Sequence, residues 1–184
     1  MSDLPLVFVT SRAEKAAEAA RLGFRIERLD MDLPEPQALD PSDIVADKAR
    51  AAYERLERPV LVEDSGLAIR AWGGFPGALV KWLEKSAGVA KLATMLDPFP
   101  DRAATAVCAI AYCDGGEIVT ARGEVAGAIA ASPRGSLGFG WDVIFIPEGG
   151  DRTFAEMAPA EKDRVSHRRR AWDAMASRLP EARR

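Results

Sequence analysis

The chain has 184 residues, 48% of them hydrophobic, with 25 Lys and Arg against 28 Asp and Glu. This length and apolar content suit one folded domain with a full core, and the slight net negative charge argues against duplex nucleic acid, which needs a basic footprint. No apolar run is long enough to span a membrane and no basic leader precedes the first apolar stretch, so a cytoplasmic protein is expected, with no membrane partner.

Leu4 to Thr10 is predicted as a first buried strand. Ser11 is placed to cap a helix from about Arg12 to Leu22, with Ala16, Ala17, Ala20 and Leu22 as its apolar face and Gly23 at its C-terminal cap. The junction of Thr10, Ser11 and Lys15 is either a phosphate seat, using backbone donors and the helix dipole, or a plain helix start. It lacks the glycine spacing of a P-loop. Phe24 to Leu29 is predicted as a second strand. The stretch Asp30-Met31-Asp32-Leu33-Pro34-Glu35-Pro36 then forms an extended loop, because two prolines exclude a helix. Its three carboxylates offer oxygen ligands to a hard cation such as Mg²⁺, or else simply face solvent.

Asp40 or Ser42 is placed to cap the next helix, which runs to about Glu57 with a stripe of Val45, Ala49, Ala52, Tyr53 and Leu56. Lys48 lies at the edge of that stripe, where a lysine either snorkels to water or reaches an anion. The helix returns into Val60 to Leu67, headed by Pro59, a continuous apolar run expected for a buried strand. Strands alternating with helices predict an α/β fold with a largely parallel half-sheet. Asp64 is placed at the carboxyl end of this strand, where ligand chemistry collects in open α/β sheets. It is a candidate base or metal ligand. Ser65 can donate to an anion, and Gly66 lets another backbone come close. The alternative is an ordinary Asp-Ser-Gly turn.

Beyond a glycine-rich loop through Gly77, a helix is predicted from Ala78 to Lys85, carrying Lys81 and Trp82, then a short one to Leu96. Strands from Ala103 to Tyr112 and Glu117 to Ala130 flank Asp114-Gly115-Gly116, a hairpin signal. Cys108 and Cys113 lie five apart along the first of these and its end, facing opposite ways, and suit a reducing compartment rather than a disulfide or metal clip. Phe139, Gly140, Trp141 and Asp142 precede a strand at Val143 to Pro147. The rings either stack on a planar base, with Asp142 reading its ring donors, or belong to the core. Near the end, Ser166 is a possible cap for a helix with Ala171, Trp172, Met175 and Leu179 on its apolar side and Arg168 beside them. Lys162, His167 and Arg168 lie here among further arginines, either as a solvated basic helix or as donors aimed at phosphates and base oxygens. No repeat divides the chain.

Taken together, these stretches resemble the Ham1 family of inosine triphosphate pyrophosphatases, enzymes that hydrolyse non-standard purine nucleoside triphosphates. The matching elements are the Thr10 to Lys15 junction, Asp32-Leu33-Pro34-Glu35, Val62-Glu63-Asp64-Ser65-Gly66-Leu67 and Pro76-Gly77. They continue with Lys81-Trp82, Pro133-Arg134-Gly135, Phe139-Gly140-Trp141-Asp142, Glu161-Lys162 and Ser166-His167-Arg168, in family order over nearly the whole chain. The resemblance implies a single elongated α/β domain of residues 1–184. A central twisted mixed sheet would be flanked by helices, with an active-site cleft between two lobes. It implies a homodimer, Mg²⁺, and release of nucleoside monophosphate and pyrophosphate. It implies metal ligation by Glu35 and Asp64, with Asp64 also accepting a proton. Nucleotide contacts are implied for Thr10, Ser11, Arg12, Ala13, Glu14, Lys15, Lys48, Ser65, Lys81, Phe139, Gly140, Trp141, Asp142, Lys162, His167 and Arg168. One departure stands out. The family usually has asparagine at the position of Arg12, and often glycine at that of Ser11. A guanidinium only donates, where an amide also accepts. Arg12 therefore leaves open a relative with another base preference, or a nucleotide-binding module without catalysis.

Overall fold

The computed structural model describes residues 5–179. One seven-stranded mixed sheet runs through it. The strands are β1 (Leu6–Val9), β2 (Ile26–Leu29), β3 (Val60–Ile69), β4 (Pro76–Gly77), β5 (Ala103–Cys113), β6 (Ile118–Ile129) and β7 (Phe145–Pro147). Their order is β2-β1-β3-β5-β6-β7, with β4 paired to β3. β2, β1 and β3 are parallel, and every later pairing is antiparallel. The predicted parallel half-sheet is therefore present, and the Asp114-Gly115-Gly116 turn joins β5 to β6 as a hairpin. Leu4, predicted at the start of β1, lies outside the described residues.

Six α-helices cover the sheet among the described residues: α1 (Ala13–Arg21), α2 (Ser42–Leu56), α3 (Val80–Ala87), α4 (Val89–Thr94), α5 (Pro159–Val165) and α6 (His167–Ala176). Side chains alternate across a strand, and the cores follow that alternation. On one face Leu61 of β3 and Cys108 and Ile110 of β5 pack with Ala16 and Ala19 of α1 and with Ala171, Trp172 and Met175 of α6. On the other, Val60 and Val62 of β3 and Cys113 of β5 pack with Val45, Ala49 and Ala52 of α2. The two cysteines are free, buried and on opposite faces, as expected. A third core, around Leu67, Ile69, Leu92, Phe145 and Phe154, fills the far end of the sheet under α3 and α4. The cleft opens where this end meets the first two cores.

Three local expectations are corrected. Ser11 is not the cap of α1. Arg12 occupies that position, no side chain caps the helix, and the Arg12 amide donates to the Thr10 hydroxyl at 3.2 Å. The inner face of α1 is Ala16, Glu18 and Ala19, whereas Ala17 and Ala20 are exposed. A purely apolar criterion missed this face because it carries a buried carboxylate. β3 does not stop near Leu67 but continues to Ile69, because β5 pairs with it along its whole length. Asp64 thus sits within a strand, just past the point where the neighbouring β1 ends opposite Val62. In contrast, Ser166 does cap α6, its hydroxyl accepting from the Arg169 amide at 3.1 Å.

Candidate active site

Because β1 ends at Val9 while β3 runs on, the sheet leaves a notch beside Glu63, Asp64 and Ser65. A cavity of about 480 Å³ opens there, in the size range of small-molecule sites. It is lined by Thr10, Ser11, Arg12, Lys15, Glu35, Lys48, Asp64, Ser65, Lys81, Phe139, Gly140, Trp141, Asp142, His167 and Arg168. Of the residues named from sequence, Ala13, Glu14 and Lys162 do not line it. Ala13 and Glu14 face solvent on the outer side of α1. Lys162 is buried behind the wall, bound to Asp142 at 2.5 Å and to Glu18 at 2.7 Å. Gly66 has the role its type suggested. A Cβ there would meet the Gly77 carbonyl carbon at 2.7 Å, so β4 and the start of the α3 segment can close over the notch only against glycine.

Strand alternation splits the chemistry into two ends. Glu63 points to the α1/α6 face. Arg168 holds its carboxylate with two nitrogens at 3.0 Å, and Lys15 approaches to 3.3 Å. Arg168 also donates to Glu18, which in turn accepts from Lys162. Three cations and three carboxylates (Lys15, Lys162, Arg168, Glu18, Glu63 and Asp142) thus form one buried network. Burial pushes the Glu63 carboxyl up, but Arg168 and Lys15 outweigh it and hold the group at about 2. Glu18 is likewise lowered, with burial outweighed by Arg168 and Lys162. Burial raises Asp142 despite Lys162. Its carboxylate accepts from Lys162 and, at 2.9 Å, from the Phe139 amide, so it anchors the loop under the ring. Trp141 is 8% exposed and packs edge-on against Phe145, leaving Phe139 as the accessible face. His167 is 1% exposed between Trp141 and Phe154, and neither ring nitrogen has a partner among the described residues. Burial, then Arg168 and Lys162, drive its pKa well below the usual histidine value, so it is neutral and offers one donor and one acceptor.

Asp64 points to the α2 face. It is 7% exposed, and no hydrogen bond from a described residue reaches its carboxylate. Burial raises its pKa, with Lys15 and Lys48 opposing and Glu35 adding to the rise. Asp32 and Glu35 of the acidic loop both line the cleft, and Glu35 is the one held by lysines. It accepts from Lys48 at 2.6 Å and from Lys81. Burial raises it, but the two lysines hold it at about 2. Asp30 instead pairs outside the cleft with Arg28 at 2.7 Å. Lys48 therefore reaches an anion rather than snorkelling to water.

Sequence reasoning missed Glu18 and Glu84 and left Glu63 without a role. Glu18 carries a signal in hindsight: it lies three residues after Lys15, one helical turn along the same face. Glu84 lines the cleft and approaches Arg12 at 3.9 Å. Only the tertiary fold brings α3 to that point.

The chain resembles known proteins over nearly its whole length. The chain is 42% identical to the dITP/XTP pyrophosphatase of Methanopyrus kandleri, over 94% of this chain and 95% of that protein. It is also 42% identical to the inosine triphosphate pyrophosphatase of Giardia intestinalis, over 97% and 94%. The Ham1 protein of Staphylococcus aureus superposes with a TM-score of 0.80 at 27% identity, covering 94% of this chain and 97% of its own. The nucleoside-triphosphatase/dITP/XTP pyrophosphatase of Mycobacterium abscessus superposes at 0.73 with 33% identity, covering 95% and 98%. The Ham1 family pattern matches residues 6–178, and the chain belongs to that family.

Proposed function

We propose that this protein hydrolyses non-standard purine nucleoside triphosphates (inosine, deoxyinosine and xanthosine triphosphates) to the monophosphate and pyrophosphate, and so cleanses the nucleotide pool. The observation that carries the proposal is the pairing, in one cleft, of Asp64, whose carboxylate takes no hydrogen bond from a described residue, with His167, whose sealed ring nitrogens have no partner among the described residues. A buried ring left without partners is rare, and both groups line a cavity of nucleotide size.

The lysine end holds the phosphates. Lys48 and Lys81, now on Glu35, and Lys15, on Glu63, can transfer to phosphate oxygens and offset their charge. Among the described residues no three His, Cys, Asp or Glu side chains converge as a ready metal cage. Two carboxylates, Glu35 and Asp64, still suit Mg²⁺, which takes one or two protein carboxylates and completes its shell with waters and substrate phosphates. When bound, the ion would neutralise charge on the phosphates and the leaving pyrophosphate. Asp64 accepts the proton of the water that attacks phosphorus, and burial, which raises its basicity, favours that role.

The other end selects the base. Phe139 provides a face for stacking. Arg168 spends one N–H from each nitrogen on Glu63 and Glu18, which leaves one on each terminal nitrogen. These donors, with the unpartnered N–H of the neutral His167 ring, match the 6-keto oxygen of hypoxanthine and xanthine and oppose the 6-amino group of adenine. Leaving such a buried group unpaired costs roughly 1–3 kcal/mol per conflict. Ser65, at the notch, can donate to the phosphate chain. Likeness to the family also supports a homodimer working in the cytoplasm; light scattering of the purified protein tests the first.

A panel of triphosphates with Mg²⁺, scored for pyrophosphate against phosphate, tests the proposal. Inosine and xanthosine triphosphates should be cleaved best, releasing pyrophosphate, with GTP well below them and ATP poorest among the purines. Comparable efficiency for ATP and inosine triphosphate, or release of phosphate instead, would refute it.

A further inference from the structure

Three cations surround the Phe139 ring. Lys162 lies 5.0 Å from its centroid, Arg168 5.4 Å and Arg12 6.0 Å. Two of them are fixed. Lys162 and Arg168 are each bound by two carboxylates, with side chains 3% and 2% exposed. Arg12 differs in both respects. Its side chain is 36% exposed, and its ion partner among the described residues is Glu84, at 3.9 Å. Its backbone is tethered by the hydrogen bond that its N–H donates to the Thr10 hydroxyl, so the side chain is what can move. The lysines of the phosphate end instead gather on Glu35.

We propose that Arg12 grips the base of the bound nucleotide rather than its phosphates, and that Glu84 positions it across the mouth of the cleft. The proposal rests on the nucleotide reading above and adds a contact specific to this chain. A planar base laid on Phe139 takes the place of the guanidinium, which then covers the base from the open side. A guanidinium is flat, stacks on aromatic faces and only donates, so it suits a purine rich in keto and ring-nitrogen acceptors. Glu84 is placed to hold it there. It projects from α3 over the Phe139–Gly140 backbone, where a Cβ on Gly140 would lie 3.3 Å from its Oε2.

The test compares the unmodified protein with Arg12→Ala, Glu84→Gln and the double variant. Two competing inhibitors separate the halves of the substrate: inosine, which has no phosphate, and pyrophosphate, which has no base. Arg12→Ala should raise the KM for inosine triphosphate and the inhibition constant of inosine about five- to tenfold, the range of a cation on an aromatic face. Its kcat and the pyrophosphate constant should stay within about twofold. Glu84→Gln should move the same constants less, and the double variant should match Arg12→Ala, because Glu84 acts only through Arg12. A raised pyrophosphate constant with inosine unchanged would place Arg12 on the phosphates. No change in any constant would place it in solvent, and additive effects would separate Glu84 from it. Each of these overturns the proposal. An unmodified protein that fails to hydrolyse inosine triphosphate fails the functional reading instead, and calorimetric binding of inosine and pyrophosphate to the same variants then decides on Arg12.

Discussion

The two ends of the cleft are built from neighbouring residues of one strand, yet they are organised in opposite ways. Around Glu63 the charges are buried and matched, with cations and carboxylates interlocked through Arg168 and Lys162, and the looser Lys15, 3.3 Å from Glu63 and 12% exposed, borders the phosphate end. Around Asp64 the arrangement is loose: two lysines share Glu35, and Asp64 itself has no hydrogen-bond partner among the described residues. The difference fits the division of work proposed for the two ends. Reading a base requires donors fixed in place before substrate arrives, because discrimination depends on the cost of a mismatch. Binding phosphates and activating water requires charges that can change partners during the reaction. Alternation along β3 sends Glu63 and Asp64 to opposite faces and so keeps the two arrangements apart.

The largest effect is expected from breaking the interlocked end. Glu63→Gln removes one buried carboxylate and leaves Arg168 and Lys15 undercompensated, at a cost of about 3 kcal/mol in stability. Lys81→Ala at the loose end should cost less than about 1 kcal/mol, since its side chain is 35% exposed and Glu35 keeps Lys48. Urea unfolding of both variants measures the contrast, and equal losses would remove it.

Next comes the chemistry. Asp64→Asn should lower turnover by at least about a hundredfold, the scale of a lost general base, with little change in stability. Glu35→Gln should mainly raise the Mg²⁺ requirement. Near-normal turnover of Asp64→Asn at saturating Mg²⁺ would take the proton-accepting role away from Asp64.

The smallest effect sharpens the comparison through pH. His167 is held neutral in the fold, while an unfolded histidine takes up a proton below its ordinary value of 6.5. Stability should therefore begin to fall as pH drops through that value. Glu63 is held at about 2 against 4.5 when unfolded. Its contribution is present above 4.5 and is lost as pH falls toward 2. Unfolding followed from pH 7 to pH 3 should show both phases in the unmodified protein, and only the second in His167→Phe. An early phase that survives in His167→Phe would show that His167 is not its source.

Much of this was legible in the chain. The parallel strands, the β5–β6 hairpin and the cap at Ser166 follow from local patterns that report burial and turn chemistry, whereas those patterns leave Asp64 and Lys48 with two readings each and Lys81 is named by the family resemblance alone. What escaped was polar burial. Glu18 occupies a core-facing helix position that a search for apolar periodicity passes over, because its burial makes sense only once Lys162 and Arg168 arrive from the far end of the chain. Trp141 and Phe139 look alike in sequence, and only the packing of Phe145 buries the first. Likewise the partner of Arg12 comes from a helix whose position depends on the whole sheet.

The separation of the two ends is tested most directly by one ratio, the kcat/KM for inosine triphosphate over that for ATP, measured in the unmodified protein, Asp64→Asn and His167→Phe. Asp64→Asn should slow both substrates by the same factor and leave the ratio intact. His167→Phe, close in shape to the ring it replaces, should collapse the ratio mainly by slowing inosine triphosphate. A ratio that shifts in Asp64→Asn, or survives in His167→Phe, would contradict the division of base selection and phosphate chemistry between the two faces of β3.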